Sequence, residues 1–138
     1  MTTLVIHGGA GALPRSEMTA ERAAEFHAAL RAALAAGQRV LAGGGVSLDA
    51  VEAAIVSMED CPLFNAGRGS SFNRDGRNEM EASIMDGRTH QAGAVTLLRR
   101  VRNPIRLARC VMEKTPHVAL AGEAAERLAV AQGLQLEP

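Results

Sequence analysis

The spacing of apolar residues changes period twice along this chain, and that change limits what it can fold into. Between Thr19 and Met58 apolar residues recur every three or four positions. Phe26, Leu30, Ala33, Leu34, Gly37 and Leu41 make one stripe, and Leu48, Val51, Ile55 and Met58 make a second. Between residues 79 and 84 the period is two, with Met80, Ala82 and Ile84 alternating with Glu79, Glu81 and Ser83. From Pro104 onward helical spacing returns, with Ile105, Ala108, Val111 and Met112 on one face. Two helices, a run of strands and then further helices bury their apolar faces only as layers of helix on sheet. The pattern therefore predicts an α+β chain.

Local punctuation places the boundaries. Residues 3–7 read as a short buried strand, stopped by the turn His7-Gly8-Gly9-Ala10-Gly11. Thr19 is a good N-cap with Glu21 in the first turn behind it, so a helix runs to about Leu41, where Gly43-Gly44-Gly45 ends it. Ser47 caps the second helix, and Pro62 opens the loop Cys61–Gly69. The pairs Asp75-Gly76 and Asp86-Gly87 suit type I′ turns, and residues 70–73, 78–85 and 90–98 read as an antiparallel meander around them. Asn103 as N-cap with Pro104 at the first position opens a third helix, which Pro116 stops. A strand over 118–120, a helix over 121–132 and a last strand around Leu134 and Leu136 complete the chain. No linker or repeat divides it, so residues 1–138 read as one segment of one domain.

Composition excludes several functions. The chain has 138 residues, with 15 basic and 15 acidic side chains. Zero net charge argues against a nucleic-acid binder, whose affinity rests on neutralising phosphates. No apolar run approaches the roughly 18 residues of a membrane-spanning helix. The N-terminus has no basic run of a secretory signal, and two cysteines, Cys61 and Cys110, make no disulfide framework. Both features favour the cytoplasm. Only Phe26, Phe64 and Phe72 are aromatic, so a chain built this way gains from a partner surface that completes its core.

Taken one at a time, the polar residues carry little chemistry. The glycine-rich turn matches neither G-x-G-x-x-G nor the P-loop pattern, and no helix opens directly after it, which favours a tight turn over a phosphate cradle. His7, His27, His90 and His117 share no metal-ligand spacing. Cys61 lies beside Pro62 without a local histidine, the setting of a small buried hydrophobe rather than a nucleophile. Glu79 and Glu81 share a strand face near Asp75 and Asp86, where a solvated face is the simpler reading than a carboxylate pair. Spacing alone assembles no catalytic constellation.

Three stretches in order change this. His7-Gly-Gly-Ala-Gly11 follows the N-terminal strand. Ser47-Leu-Asp-Ala-Val-Glu-Ala-Ala runs on to Met58-Glu-Asp-Cys-Pro-Leu-Phe-Asn-Ala-Gly-Arg-Gly69. Glu79-Met-Glu-Ala-Ser-Ile-Met-Asp-Gly87 leads to Ala92-Gly-Ala-Val95, Arg102-Asn-Pro104 and Pro116-His-Val118. Over nearly its whole length the chain resembles the N-terminal, α subunit of the plant-type L-asparaginase and isoaspartyl aminopeptidase family, which are N-terminal-nucleophile (Ntn) hydrolases.

The resemblance implies half of a four-layer αββα sandwich, completed by a β subunit from the same precursor, and an (αβ)2 assembly. It implies self-cleavage that frees a threonine as the first residue of the β subunit. That residue carries both a hydroxyl nucleophile and an α-amine able to act as base near neutral pH. The substrates implied are L-asparagine and β-aspartyl dipeptides. In this chain the family's supporting residues fall on Gly8 and Gly9, beside the nucleophile, and on Asn65, whose amide would orient the threonine or polarise the substrate. Main-chain carbonyls of Met58, Glu59, Cys61, Phe64, Ala66 and Arg68 would hold a sodium ion, a hard cation suited to oxygen ligands; no organic cofactor is implied. One departure is decisive. The family's segment resembling Thr-Val-Gly-Ala-Val-Ala has no counterpart here, and Gly93-Ala-Val-Thr96 lies mid-strand, so the resemblance implies a chain inactive by itself. Competing readings are a nucleophile at Thr2 after loss of Met1, a non-enzymatic module of the same fold, and a related branch acting on glycosylated asparagine or on proteins.

Overall fold

The computed structural model describes residues 2–10 and 14–138; Gly11, in the predicted glycine turn, lies outside the described residues. Four helices and three strands follow in order: α1 (Ala20–Ala42), α2 (Ser47–Glu59), β1 (Met80–Met85), β2 (Ala92–Leu98), α3 (Pro104–Lys114), β3 (Ala119–Ala121) and α4 (Gly122–Ala131). The chain is α+β, as the periodicity requires. No helix among the described residues is long and apolar enough to cross a membrane.

The first half is a helical hairpin. Thr19 caps α1, its Oγ1 accepting the Arg22 N–H at 3.2 Å. The two helices approach closely because small residues line the contact: a Cβ on Gly37 would lie 2.7 Å from the Ala50 carbonyl oxygen and 2.6 Å from Leu4 Cδ2. The buried stripe of α2 is Ala50, Ala54 and Met58, whereas Val51 is 40% exposed. The cap also shifts by one residue. Val46 occupies the N-cap position and Ser47 is the first helical residue, making no side-chain cap bond.

The second half is a three-stranded sheet in the order β1-β2-β3. β1 and β2 pair antiparallel, with Ser83 opposite Ala94 and Ile84 opposite Gly93; β2 and β3 pair parallel, with Ala94 opposite Ala119. The parallel pair needs a crossover, which α3 supplies. Ile84, Val95 and Leu98 join Ile105, Leu107, Ala108 and Val111 of α3 and Ala125 and Ala129 of α4 in one buried cluster. α3 lies almost against the strand backbone: a Cβ on Gly93 would collide with the Ala108 carbonyl and come within 2.6 Å of the Met112 nitrogen.

Several predicted features differ. Residues 3–7 form no strand, because no neighbouring strand pairs with them among the described residues; Leu4 and Ile6 are half-buried while Val5 is 81% exposed. The predicted strand over 70–73 shrinks to the bridge Phe72–Asn78, and the last strand to the bridge Val101–Leu136. Neither Asp-Gly pair forms a type I′ turn, which needs φ > 0 at both central residues. In the first, only Gly76 is positive (φ +71), and its N–H bonds the Asn73 carbonyl at 3.0 Å while the Asn73 side chain accepts the Asp75 and Arg77 N–H groups. In the second the positive φ falls on His90 (φ +61), whose N–H bonds the Asp86 carbonyl at 2.7 Å. A shift of register between Met80 and Ala82 places an extra residue in β2, and Leu97 takes up the bulge at φ +54.

The narrow gap at Gly93 sets a test. Gly93→Ala is expected to lower unfolding stability by about 1–3 kcal/mol, read as a lower urea midpoint at unchanged slope. An unchanged midpoint would show that α3 can shift freely on the sheet.

Candidate functional site

Gly8, Gly9 and Asn65, separated by more than fifty residues of chain, border one concavity of about 330 Å³ together with Met18, Phe26, Leu30, Leu63 and Phe64. Its floor is Phe64, 4% exposed and packed edge-on against Phe26 with ring centroids 6.4 Å apart. Gly8 passes over this floor so closely that even a methyl would be crowded: a Cβ there would lie 3.0 Å from Leu30 Cδ2 and 3.1 Å from Phe64 Cε1. Gly9 turns the chain at φ +97, a conformation that excludes most other residues, and its N–H donates to His7 Nδ1 at 3.2 Å. The Asn65 amide oxygen accepts the Ser71 N–H at 2.8 Å, which fixes the side chain. Its amide nitrogen bonds none of the described residues, so Asn65 offers the site a donor. The walls are otherwise apolar, which strengthens any hydrogen bond made there.

The loop that carries Asn65 is wound tightly by two glycines. Gly67 stands at φ +51, where a Cβ would strike the Glu59 backbone, and a Cβ on Gly69 would strike the Phe64 carbonyl and lie 2.7 Å from that of Pro62. Four of the carbonyls in the segment each accept one short-range N–H: Met58 from Cys61, Cys61 from Phe64, Phe64 from Ala66 and Ala66 from Gly69. Each keeps a second lone pair. The carbonyls of Glu59 and Arg68 accept no backbone hydrogen bond from the described residues outside the helices. Cys61 is half-buried and packs with Met58 and Phe64, the place of a small hydrophobe. No group of three or more His, Cys, Asp or Glu side chains suited to a metal occurs among the described residues, so carbonyl oxygens are the donors available to a cation here.

The loop is anchored at its start by a contact that spacing did not reveal. Glu59, 2% exposed, extends its carboxylate to the N-terminus of α3, where Oε1 accepts the Ile105 N–H at 2.9 Å; Oε2 has no partner. Asn103 occupies the N-cap position of α3 as predicted but makes no cap bond; its amide donates to Asp60 Oδ1 at 3.3 Å. Glu59 thus caps α3 from another helix. Burial pushes its pKa up to about 7, against the opposing pull of the Ile105 hydrogen bond and the Asn103 amide. Asp60 is also raised by burial, but hydrogen bonds from Arg102 Nε (3.0 Å) and Asn103 outweigh this and hold it below its ordinary value. The signal in the sequence was two adjacent acids at the C-terminal end of a helix, where the helix dipole disfavours them. Such placement calls for a partner outside the helix.

The remaining candidates separate. Glu79 binds Arg99 at 2.7 Å, so it forms no carboxylate pair with Glu81. Thr96 lies in β2 and borders the concavity on the open sheet face, not the one lined by Gly8, Gly9 and Asn65.

The cap can be tested directly. Glu59→Ala leaves the buried Ile105 N–H without its acceptor and is expected to cost about 1–3 kcal/mol of unfolding stability. Glu59→Gln retains an acceptor and should lose much less. Chemical denaturation of both variants checks the pair, and equal losses would show that Glu59 acts by packing alone.

Comparison with known proteins identifies the family of the chain. The family described as Asparaginase matches residues 1–138. The chain is 46% identical over 132 residues to the isoaspartyl peptidase of Escherichia coli (strain K12), covering 96% of this chain and 41% of that protein. It is 48% identical over 131 residues to the human isoaspartyl peptidase/L-asparaginase, covering 95% and 41%. It is 44% identical over 138 residues to that of Danio rerio, covering 100% and 43%. The chain therefore spans about two fifths of the length of these relatives. With a family match over every residue and these identities, the chain belongs to the asparaginase family.

Proposed function

We propose that this chain is the α-subunit part of a self-processed amidohydrolase that hydrolyses L-asparagine and β-aspartyl dipeptides, with its nucleophile, an N-terminal threonine, on a β subunit. The observation that carries this reading is the meeting of Gly8, Gly9 and Asn65 at one concavity in a chain whose relatives are named isoaspartyl peptidase and L-asparaginase. Gly8 and Gly9 leave backbone without side chains beside the threonine, so that the scissile segment and later the substrate approach closely. Asn65, its oxygen held by Ser71, donates its N–H to the threonine hydroxyl or to the substrate carbonyl.

The chemistry follows from those positions. The threonine Oγ attacks the side-chain amide carbon while the α-amine takes its proton. Collapse of the tetrahedral intermediate returns that proton to the leaving nitrogen, releasing ammonia or the second amino acid. Water then hydrolyses the ester to give aspartate.

Architecture supports the same reading. β1–β3 carry helices on one face only, and the other face, with Ser83, Ala94, Thr96 and Ala119, borders an open concavity of about 490 Å³. A second sheet laid on this face completes the αββα sandwich, with (αβ)2 as the assembly. The carbonyls of Met58, Glu59, Cys61, Phe64, Ala66 and Arg68 suit a sodium ion, which when bound would rigidify the loop presenting Asn65. The free thiols of Cys61 and Cys110 support a reducing compartment, the cytoplasm.

Hydrolysis of asparagine and of a β-aspartyl dipeptide by the full-length protein, with and without Asn65→Asp, tests the proposal. The aspartate keeps an acceptor for Ser71 and removes the donor. It is expected to lower kcat by roughly 100-fold with the fold retained. An inactive wild-type protein would contradict the function, and an unimpaired Asn65→Asp enzyme would contradict the role of the amide.

A further inference from the structure

Around the concavity the open face of the sheet carries small neutral side chains, with Met85, 58% exposed, at the end of β1 on the same side. Directly paired residues point to the same side of a sheet, so Ser83, Ala94 and Ala119 form one row across all three strands. Thr96 and Ala121 form part of the next. Glu81, two residues from Ser83 on β1, stands on the same side by the alternation of a strand. It is the only ionisable residue bordering the concavity on that face. No ion pair or hydrogen bond joins its side chain to the described residues, whereas Glu79 is held by Arg99. A face of alanine, serine and threonine leaves the space between packed sheets, roughly 10 Å thick, to be filled from the other side. A carboxylate enclosed in that layer loses its water and needs an opposite charge.

We propose that Glu81 is the electrostatic anchor of the covering layer: the part of the full-length protein that this chain does not span packs a sheet on β1–β3 and presents one arginine or lysine to Glu81. The inference rests on the reading that this remainder covers the open face, and it adds the chemistry of the contact. Charge complementarity selects the occupant. The face otherwise accepts any apolar surface, but an unpaired carboxylate at its edge penalises every arrangement that does not bring a cation to that point. The same penalty fixes the register of the two layers, since a shift by one strand spacing separates the charges.

Carboxyl labelling of the full-length protein with a water-soluble carbodiimide and glycine ethyl ester, read by peptide mass spectrometry, tests the enclosure. Glu81 is expected to stay unlabelled in the native protein and to label on unfolding. Labelling at the unfolded rate in the native protein overturns the proposal without any variant being needed. Glu81→Gln keeps the shape and removes the charge, and is expected to lower the thermal midpoint by roughly 5 °C or more, with Glu81→Asp closer to the wild type. A Gln variant as stable as the wild type overturns the ion pair. Asparagine hydrolysis by the same wild-type sample separates the two claims: an active protein with a labelled Glu81 loses only the anchor, whereas an inactive one loses the functional reading.

Discussion

The hydrogen bond from the Ile105 N–H to the Glu59 carboxylate joins residues 46 positions apart and fixes where the helical hairpin meets the sheet. It does so at a favourable junction of two helix ends. A carboxylate is misplaced at the C-terminus of α2 but well placed at the N-terminus of α3, where free N–H groups carry partial positive charge. Asp60 repeats the arrangement one residue on, bound to Arg102 and Asn103. The loop from Cys61 to Gly69 leaves from this clamp, so the position of Asn65 is set by a contact made on the far side of the chain. Burying a carboxyl group has a cost, visible in its raised pKa. The structure bears that cost where the two clusters meet, alongside the ion pairs of Arg109 with Asp49 and Glu52 that also join α3 to α2.

Those clusters are built by close approach rather than by bulk. With three aromatic residues, the chain buries little area per side chain and instead brings backbones together at Gly37 and Gly93 and at the fully buried Ala33, Ala108, Ala125 and Ala129. The exception is Phe64, a ring at the floor of the candidate site and the centre of the smaller cluster. The buried ring of the loop after α2 thus supports the concavity where Gly8, Gly9 and Asn65 converge. Stability and site geometry depend on the same residue.

Helices were legible because their signals are local. Thr19 and Pro104 act within one turn, and α1 and α3 begin where these residues place them. Turn type was less so: Asp-Gly permits a type I′ turn but does not compel one, and Asn73 and His90 redirected the two turns through bonds to more distant atoms. The strand over 3–7 failed for a different reason, since a β-branched run forms a strand only beside a partner. At the site, neither periodicity nor spacing could assemble Gly8, Gly9 and Asn65, because two of them carry no side chain and they lie more than fifty residues from the third. Only their order within a family pattern connected them. The Glu59 cap was indicated by two acids at a helix C-terminus, but its partner, a backbone N–H, leaves no mark in side-chain identity.

The unpaired residues 3–7, the sheet with helices on one face and the bordering concavity are the features on which the proposed second layer rests. The central claim is that this layer begins with a threonine released by cleavage of a common precursor. Denaturing intact-mass analysis of the purified full-length protein, with N-terminal sequencing of every species, tests it most directly. Two chains are predicted, one matching this segment at its N-terminus and the other beginning with threonine. A single uncut chain in a protein that nonetheless hydrolyses asparagine would contradict the account.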